Sequence, residues 1–294
     1  MKECYTYKKS GDYTVCATCN HRCRIAPYKT GICGVRENQK GKLYLLVYGR
    51  VIAENIDPIE KKPLYHFMPG TSSLSIATVG CNMRCLWCQN YDISQCTKEN
   101  LSRDEITNRM GVEMTPEQVI KDAKKYNCPS ISYTYTEPTI FLEFALDTMK
   151  LAQKAGLKNV WVSNGYMTKE TLDLITPYLD AINVDLKGFS EENYLKYSGA
   201  KLQPVLDNIR EIYKRGIHLE VTTLIVPGVN DDKKQLSDIA KFLAGISKKI
   251  PWHISRFLPT YKMLDTPPTP IETLKLAETL GKKAGLKYIH LGNV

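Results

Sequence analysis

The chain has 294 residues, enough for one large domain or one domain with a small appendage, and its 43% hydrophobic and 24% charged residues are those of a globular protein. Lysine and arginine total 40 against 31 acidic residues, a net charge of +9. These charges are interspersed, so an acidic partner is weakly indicated, and nucleic acid, which calls for a basic tract, is not expected. No apolar run approaches membrane-spanning length and no leader-like apolar core is present, which argues against a membrane protein and for a cytoplasmic one. Ten cysteines in that compartment read as metal ligands before disulfides.

Taken in order, the first feature is Cys16-x2-Cys19-x3-Cys23-x9-Cys33, with His21 inside it and Gly31 and Gly34 beside its last cysteine. Four thiols in a segment with almost no apolar run describe a loop-rich knuckle that needs a metal in place of a core. Zinc and an auxiliary iron-sulfur cluster both satisfy the pattern. The β-formers of Leu43–Ala53, interrupted by Gly49, predict a strand pair or a bulged strand. The stretch from Asp57 to Gly70 holds three prolines that keep it out of regular structure, and its charges are expected to face water. Residues 1–70 are therefore read as a cysteine-rich extension and 71–294 as the main domain.

The apolar run Leu74–Val79 then delivers the loop Gly80-Cys81-Asn82-Met83-Arg84-Cys85-Leu86-Trp87-Cys88-Gln89-Asn90. Three thiolates at C-x3-C-x2-C spacing can hold three irons of a 4Fe-4S cluster. Such a cluster usually takes four cysteines, so one iron is left open to a small molecule. The polar, aperiodic tract from Thr97 to Met114 reads as an excursion of this loop.

Strands are predicted at 74–79, 130–136, 158–164, 181–187, 218–226, 252–258 and 287–291. Helices are predicted at 116–126, 140–155, 169–179, 205–215, 233–247 and 271–284. Thr115, Pro116 and Gln118 form a helix start, and Gly156, Gly216 and Gly285 are stops. Repeated βα units imply a parallel sheet with helices outside and ligands at the C-terminal strand ends. Strands of such a sheet should be apolar on both faces, yet Asn183, Asp185 and Lys187 alternate with Ile182, Val184 and Leu186. His218, Glu220 and Thr222, and then His253 and Ser255, repeat the contrast. The polar faces are expected to line a lumen, with Asp185 and Lys187 pairing with each other or with a charged ligand. Glu137 and its neighbour Thr136, and Ser163 and Asn164, stand at two further strand ends.

Cys81-x3-Cys85-x-Trp87-Cys88 resembles the signature of the radical SAM superfamily, with an aromatic residue before the last cysteine. Within it the chain resembles the glycyl-radical-enzyme activases, such as the pyruvate formate-lyase activating enzymes. It most resembles the radical SAM member of the AmmeMemoRadiSam system, through the cysteine knuckle, Asp57–Phe67, Cys88-Gln89-Asn90, Thr136-Glu137-Pro138, Asp185-Leu186-Lys187, Pro227–Asp231 and Leu291–Val294. The resemblance implies a partial TIM-like (β/α)6 barrel with a further C-terminal strand. Its 4Fe-4S cluster would be ligated by Cys81, Cys85 and Cys88, with S-adenosylmethionine on the open iron. By position it places Thr136 and Glu137 at the methionine amino group, Ser163 and Asn164 at ribose or methionine, Asp185 and Lys187 at methionine, and Gly228 near adenine. Trp87 belongs to the same cofactor surroundings, and His253 is the first-ranked further contact. In two respects the chain departs from the pattern. Tyr135-Thr136 replaces the glycine pair that often precedes the acid, and the C-x2-C tail common in the closest family is not in this sequence. The implied activity is reductive cleavage of S-adenosylmethionine to a 5′-deoxyadenosyl radical, driven by an external donor of ferredoxin or flavodoxin type. The radical would abstract hydrogen from a substrate that the sequence does not name: a partner protein under the activase reading, or else a small molecule or, with less support, an RNA. A non-enzymatic electron carrier is the remaining alternative.

Overall fold

The structure, a computed structural model, describes residues 1–99 and 101–294; Asn100, inside the tract read as a loop excursion, lies outside the described residues. The chain forms two compact units, Met1–Asn82 with Asn90–Ala181, and Met83–Gln89 with Ile182–Val294.

In the first unit, Ser72–Ala77 runs parallel to Ser130–Tyr133, which runs parallel to Lys158–Ser163. The antiparallel strand Ala53–Pro58 covers the outer edge of Ser72–Ala77, and Pro58 is tolerated there because it ends an edge strand. Asp57 thus lies in a strand and is buried together with Lys62. This corrects the expected irregular backbone at the start of the segment and, for Asp57 and Lys62, the expected solvation, which Lys61 keeps. Helices Pro116–Lys125, Leu142–Lys154 and Lys169–Ile175 accompany these strands. The first begins as its sequence dictates, with Thr115 Oγ1 accepting from the Gln118 N–H at 3.3 Å and proline in the first turn. The third stops at Ile175, short of the expected 179, because Pro177 follows.

The N-terminal part of this unit is built of short antiparallel ribbons rather than loops alone. Tyr13–Cys16 pairs with Tyr7–Ser10 and with Arg24–Ile25. Lys42–Leu45 pairs with Lys2–Glu3 and with Arg36–Gln39. Under them Arg36, 2% exposed, forks onto Glu143, 0% exposed, with N–O distances of 3.1 and 2.6 Å. Both charges are buried, and the bidentate geometry compensates their lost hydration.

In the second unit, His218–Ile225, Trp252–Arg256 and Ile289–Gly292 form a parallel run. Strand Ala181–Asp185 leads into it, and the Leu186 N–H bonds the Thr222 carbonyl at 2.8 Å. Helices Gln203–Lys214, Lys233–Ile246 and Ile271–Ala284 alternate with these strands. Met83–Gln89 packs on this unit through backbone bonds from Arg84 to Ser198 (2.8 Å), Leu86 to Tyr197 (3.1 Å) and Lys262 to Leu86 (3.0 Å). The molecule is thus a mixed α/β protein with parallel βα units. Among the described residues no helix is long and apolar enough to cross a membrane.

Candidate active site

Strand ends position the candidate groups. In the first unit the strand Ser130–Tyr133 stops three residues earlier than expected. Tyr135 takes a left-handed backbone, φ 61°, and the Thr136 N–H turns back to the Thr134 carbonyl at 2.7 Å. A non-glycine aromatic residue pays strain in that region, and its surroundings hold it there. The Asn90 amide donates to the Tyr135 carbonyl (2.8 Å), and the Tyr135 hydroxyl donates to Asp57. Asp57 also receives Lys62 at 2.5 Å and Lys61 at 3.0 Å. Burial alone would raise the Asp57 pKa, but the bonds from Lys62, Tyr135 and Lys61 outweigh it and hold the carboxyl well below the usual range. Tyr135, by burial and by the Asp57 carboxylate, is pushed up to about 12.

This turn presents Thr136 and Glu137. Thr136 Oγ1 bonds the Thr78 carbonyl at 2.8 Å, tying the turn to the backbone just before the cysteine loop. Glu137, 2% exposed, accepts four protein bonds: from the Thr139 N–H (3.1 Å) and hydroxyl (2.5 Å), the Ser163 hydroxyl (2.8 Å) and the Asn164 N–H (2.8 Å). Burial raises its pKa, with these bonds opposing. The carboxylate therefore joins two strand ends, 133–139 and 158–164, and fixes Ser163 and Asn164 directly. Asn164 in turn donates to Asn82 Oδ1 at 2.7 Å, and its Nδ2 lies 3.9 Å from Cys81 Sγ. Asn82 carries a second signal: its buried Nδ2 has no partner.

In the second unit, Lys187 Nζ meets Asp185 Oδ2 at 3.0 Å, the pairing expected from their alternation. Burial would lower the Lys187 pKa, but Asp185, Cys85 and Tyr194 outweigh it and keep the ammonium well above its ordinary range. The Lys187 backbone is held as well, its carbonyl by Asn230 Nδ2 (2.9 Å) and its N–H by the Tyr194 hydroxyl (3.3 Å). Asn230 also bonds the Leu224 carbonyl and the Val226 N–H, closing the turn that contains Gly228, whose N–H donates to Asp231 at 2.9 Å. Trp87 is buried with its ring 6.3 Å from Tyr197, and the Cys88 N–H bonds the Cys85 carbonyl at 3.2 Å. His253 is engaged by Glu220 at 2.6 Å, and Glu220 also holds His218 at 2.9 Å. The polar face of that strand pair therefore forms its own hydrogen-bonded set.

Asn82, Tyr194 and Asn230 complete the two groups of residues and were not singled out individually in the sequence. Only Asn230 left a trace, as the asparagine of a Pro-Gly-x-Asn-Asp turn. The donor set suits an iron-sulfur cluster. It offers three soft thiols on one loop, with the Asn164 amide Nδ2 3.9 Å from Cys81 Sγ and a cation beside Cys85.

The model of the radical SAM superfamily matches residues 75–243, more than half of the chain and the whole of the cysteine loop. The chain belongs to the radical SAM superfamily. An uncharacterized protein of Methanocaldococcus jannaschii is 47% identical over 296 residues, covering 100% of this chain and 86% of that one. A putative glycyl-radical enzyme activating enzyme of the same organism is 26% identical over 192 residues, 64% of this chain and 68% of its own. Among solved structures, a radical SAM methyltransferase from Sphaerobacter thermophilus superposes with a TM-score of 0.57 at 13% identity, covering 76% of this chain and 67% of that one. Sequence and fold agree on the partial-barrel architecture of the superfamily, and the protein is an enzyme of the radical SAM class.

The N-terminal cysteines form a further cluster beside the Gly80–Asn82 segment. Cys16, Cys19, Cys23 and Cys33 line one cavity together with His21. Burial pushes the Cys19 thiol up, and it pushes Cys33 to about 11. Among the described residues no three cysteine, histidine or acidic side chains are already drawn together as a metal site.

Proposed function

We propose that this radical SAM enzyme cleaves S-adenosylmethionine reductively at a 4Fe-4S cluster on Cys81, Cys85 and Cys88. Bound there, cluster and cofactor would supply a 5′-deoxyadenosyl radical for hydrogen abstraction. The observation that carries the reading is the three-cysteine loop together with the ordered donors near its thiols, Asn164 near Cys81 and Lys187 near Cys85.

The chain's own residues would act by binding and positioning. Lys187, kept charged by Asp185, is suited to an anionic group such as the methionine carboxylate. Ser163 and Asn164 are suited to a hydroxyl or an amine. Glu137, already accepting four bonds, serves them as a positioning residue, and the amino group then falls to the backbone and side chains of 163–164. Thr136 anchors the turn to Thr78, Gly228 shapes the loop assigned to adenine, and Trp87 packs the cysteine loop against Tyr197 and away from water. The similarity to a putative activating enzyme favours a partner protein as the substrate, and an external ferredoxin- or flavodoxin-type protein is the expected donor.

Anaerobic reconstitution followed by an assay for 5′-deoxyadenosine with dithionite tests this. Wild type should form it slowly even without substrate, and alanine at Cys81, Cys85 or Cys88 should abolish it. Formation at the wild-type rate in any of the three variants would refute the assignment.

A further inference from the structure

The radical chemistry asks nothing of Cys16, Cys19, Cys23 and Cys33, yet four separate points of the backbone bring these thiols and His21 to one cavity. Cys16 ends the strand Tyr13–Cys16, and its N–H bonds the Cys23 carbonyl at 2.9 Å. Cys19 is bridged to Met167. Cys33 stands in the turn where the Gly34 N–H returns to Gly31 at 2.9 Å. Gly31 faces the same sulfurs: a β-carbon there would lie 3.4 Å from Cys23 Sγ.

Four thiols admit either zinc or an iron-sulfur cluster, and the small space between them favours the smaller group. The cavity is about 10 Å³, room for one water-sized body. One tetrahedral ion would need the thiols only to turn inward, whereas four irons and four sulfides would need the space enlarged as well. Arg36 lines the cavity too, its charge already balanced by Glu143. As they stand, the thiols are not at ligand distance, so ligation requires them to lose protons and turn inward.

The same ribbons touch the segment that carries Cys81. His21 Nε2 donates to the Asn82 carbonyl at 2.7 Å, and its ring lies 4.8 Å from that of Tyr166. Asn20 bonds the Met167 carbonyl at 2.6 Å, and the Tyr166 N–H bonds Asn164 Oδ1 at 3.0 Å. Gly80, immediately before Cys81, passes so close to the knuckle that a β-carbon on it would meet the Cys33 carbonyl at 2.9 Å.

We propose that the knuckle binds one zinc ion through Cys16, Cys19, Cys23 and Cys33, and that this ion fixes the Gly80–Asn82 segment through His21 and Cys33. The zinc half stands by itself; the positioning half rests on Cys81 being a cluster ligand. His21 is a positioning residue, its Nε2 committed to Asn82.

Metal analysis of the anaerobically purified full chain tests both halves. About four irons and one zinc per chain are expected, with a zinc X-ray absorption edge showing a sulfur-only shell at about 2.3 Å. About eight irons without zinc, a fifth iron in place of zinc, or a zinc shell dominated by nitrogen and oxygen would overturn the site. His21→Ala should keep its zinc but lose iron at least several-fold faster on anaerobic gel filtration, with a broadened EPR signal of the reduced cluster. Wild-type iron retention and an unchanged signal in His21→Ala would overturn the positioning role. Cys81→Ala separates the two readings, since it should lose iron and keep zinc. Full iron content there would instead defeat the cluster assignment, leaving the zinc count standing.

Discussion

Glu137 is held by neighbours that include two of the residues assigned to the cofactor. All four of its bonds come from Thr139, Ser163 and Asn164, so Glu137→Gln would set an amide N–H against at least one of those donors. A buried donor left unmatched costs about 1–3 kcal/mol, and the affected groups are those assigned to the cofactor. The apparent KM for S-adenosylmethionine should rise about tenfold, with a smaller change in kcat for uncoupled cleavage. A wild-type KM would show that Ser163 and Asn164 are not contacts.

The second residue-scale case is Asp57. Its folded pKa is depressed below the unfolded value of about 3.9. Its contribution to stability is therefore complete above about pH 4 and is lost as pH falls through the lower folded value. Lys62→Met leaves the carboxylate with Tyr135 and Lys61, so the loss should sit near the low end of the range for broken buried pairs, about 3 kcal/mol. Urea midpoints measured at pH 7 and pH 3 check it, and the difference between variant and wild type should shrink at the lower pH. Asp185 and Lys187 were readable in the sequence because period-two alternation brings out polar residues on a strand. Asp57 was not, because its burial depends on Tyr135, which lies 78 residues away in the chain.

Among the elements, parallel strands and their helices were readable because hydrophobic runs, caps and glycine stops all agree. Their ends were less so. Ser130–Tyr133 stops early because Asn90 and Asp57 hold Tyr135 in a left-handed turn. Ala181–Asp185 gives way at Lys187 because the side chain of Asn230 takes the carbonyl there. Neither partner is adjacent in sequence. The Gly80 junction belongs to this scale too. With φ at 98° and the Cys33 carbonyl 2.9 Å from where a β-carbon would sit, Gly80→Ala meets both strain and a backbone clash. A loss of about 1–3 kcal/mol is expected, with reduced iron content, measured by thermal melting and metal analysis. Wild-type values for both would show that the junction between knuckle and loop relaxes freely.

For the whole molecule, the readable quantity beyond fold class is charge. A net +9 produces a field that no single residue owns, and its consequence concerns rates of encounter rather than fold. If the electron comes from an acidic carrier of ferredoxin or flavodoxin type, opposite charges should steer the encounter, and that steering is screened as the Debye length shrinks from about 10 Å at 0.1 M salt to about 3 Å at 1 M. Stopped-flow reduction of the reconstituted enzyme by such a carrier should therefore slow about tenfold or more between those two salt concentrations. Reduction by a small uncharged photoreductant should change little over the same range, which separates screening of encounter from any effect of salt on the cluster itself. Equal salt dependence with both reductants would mean that the positive charge serves something other than the donor. The protein substrate favoured above would then become the first candidate, tested by the salt dependence of its own association.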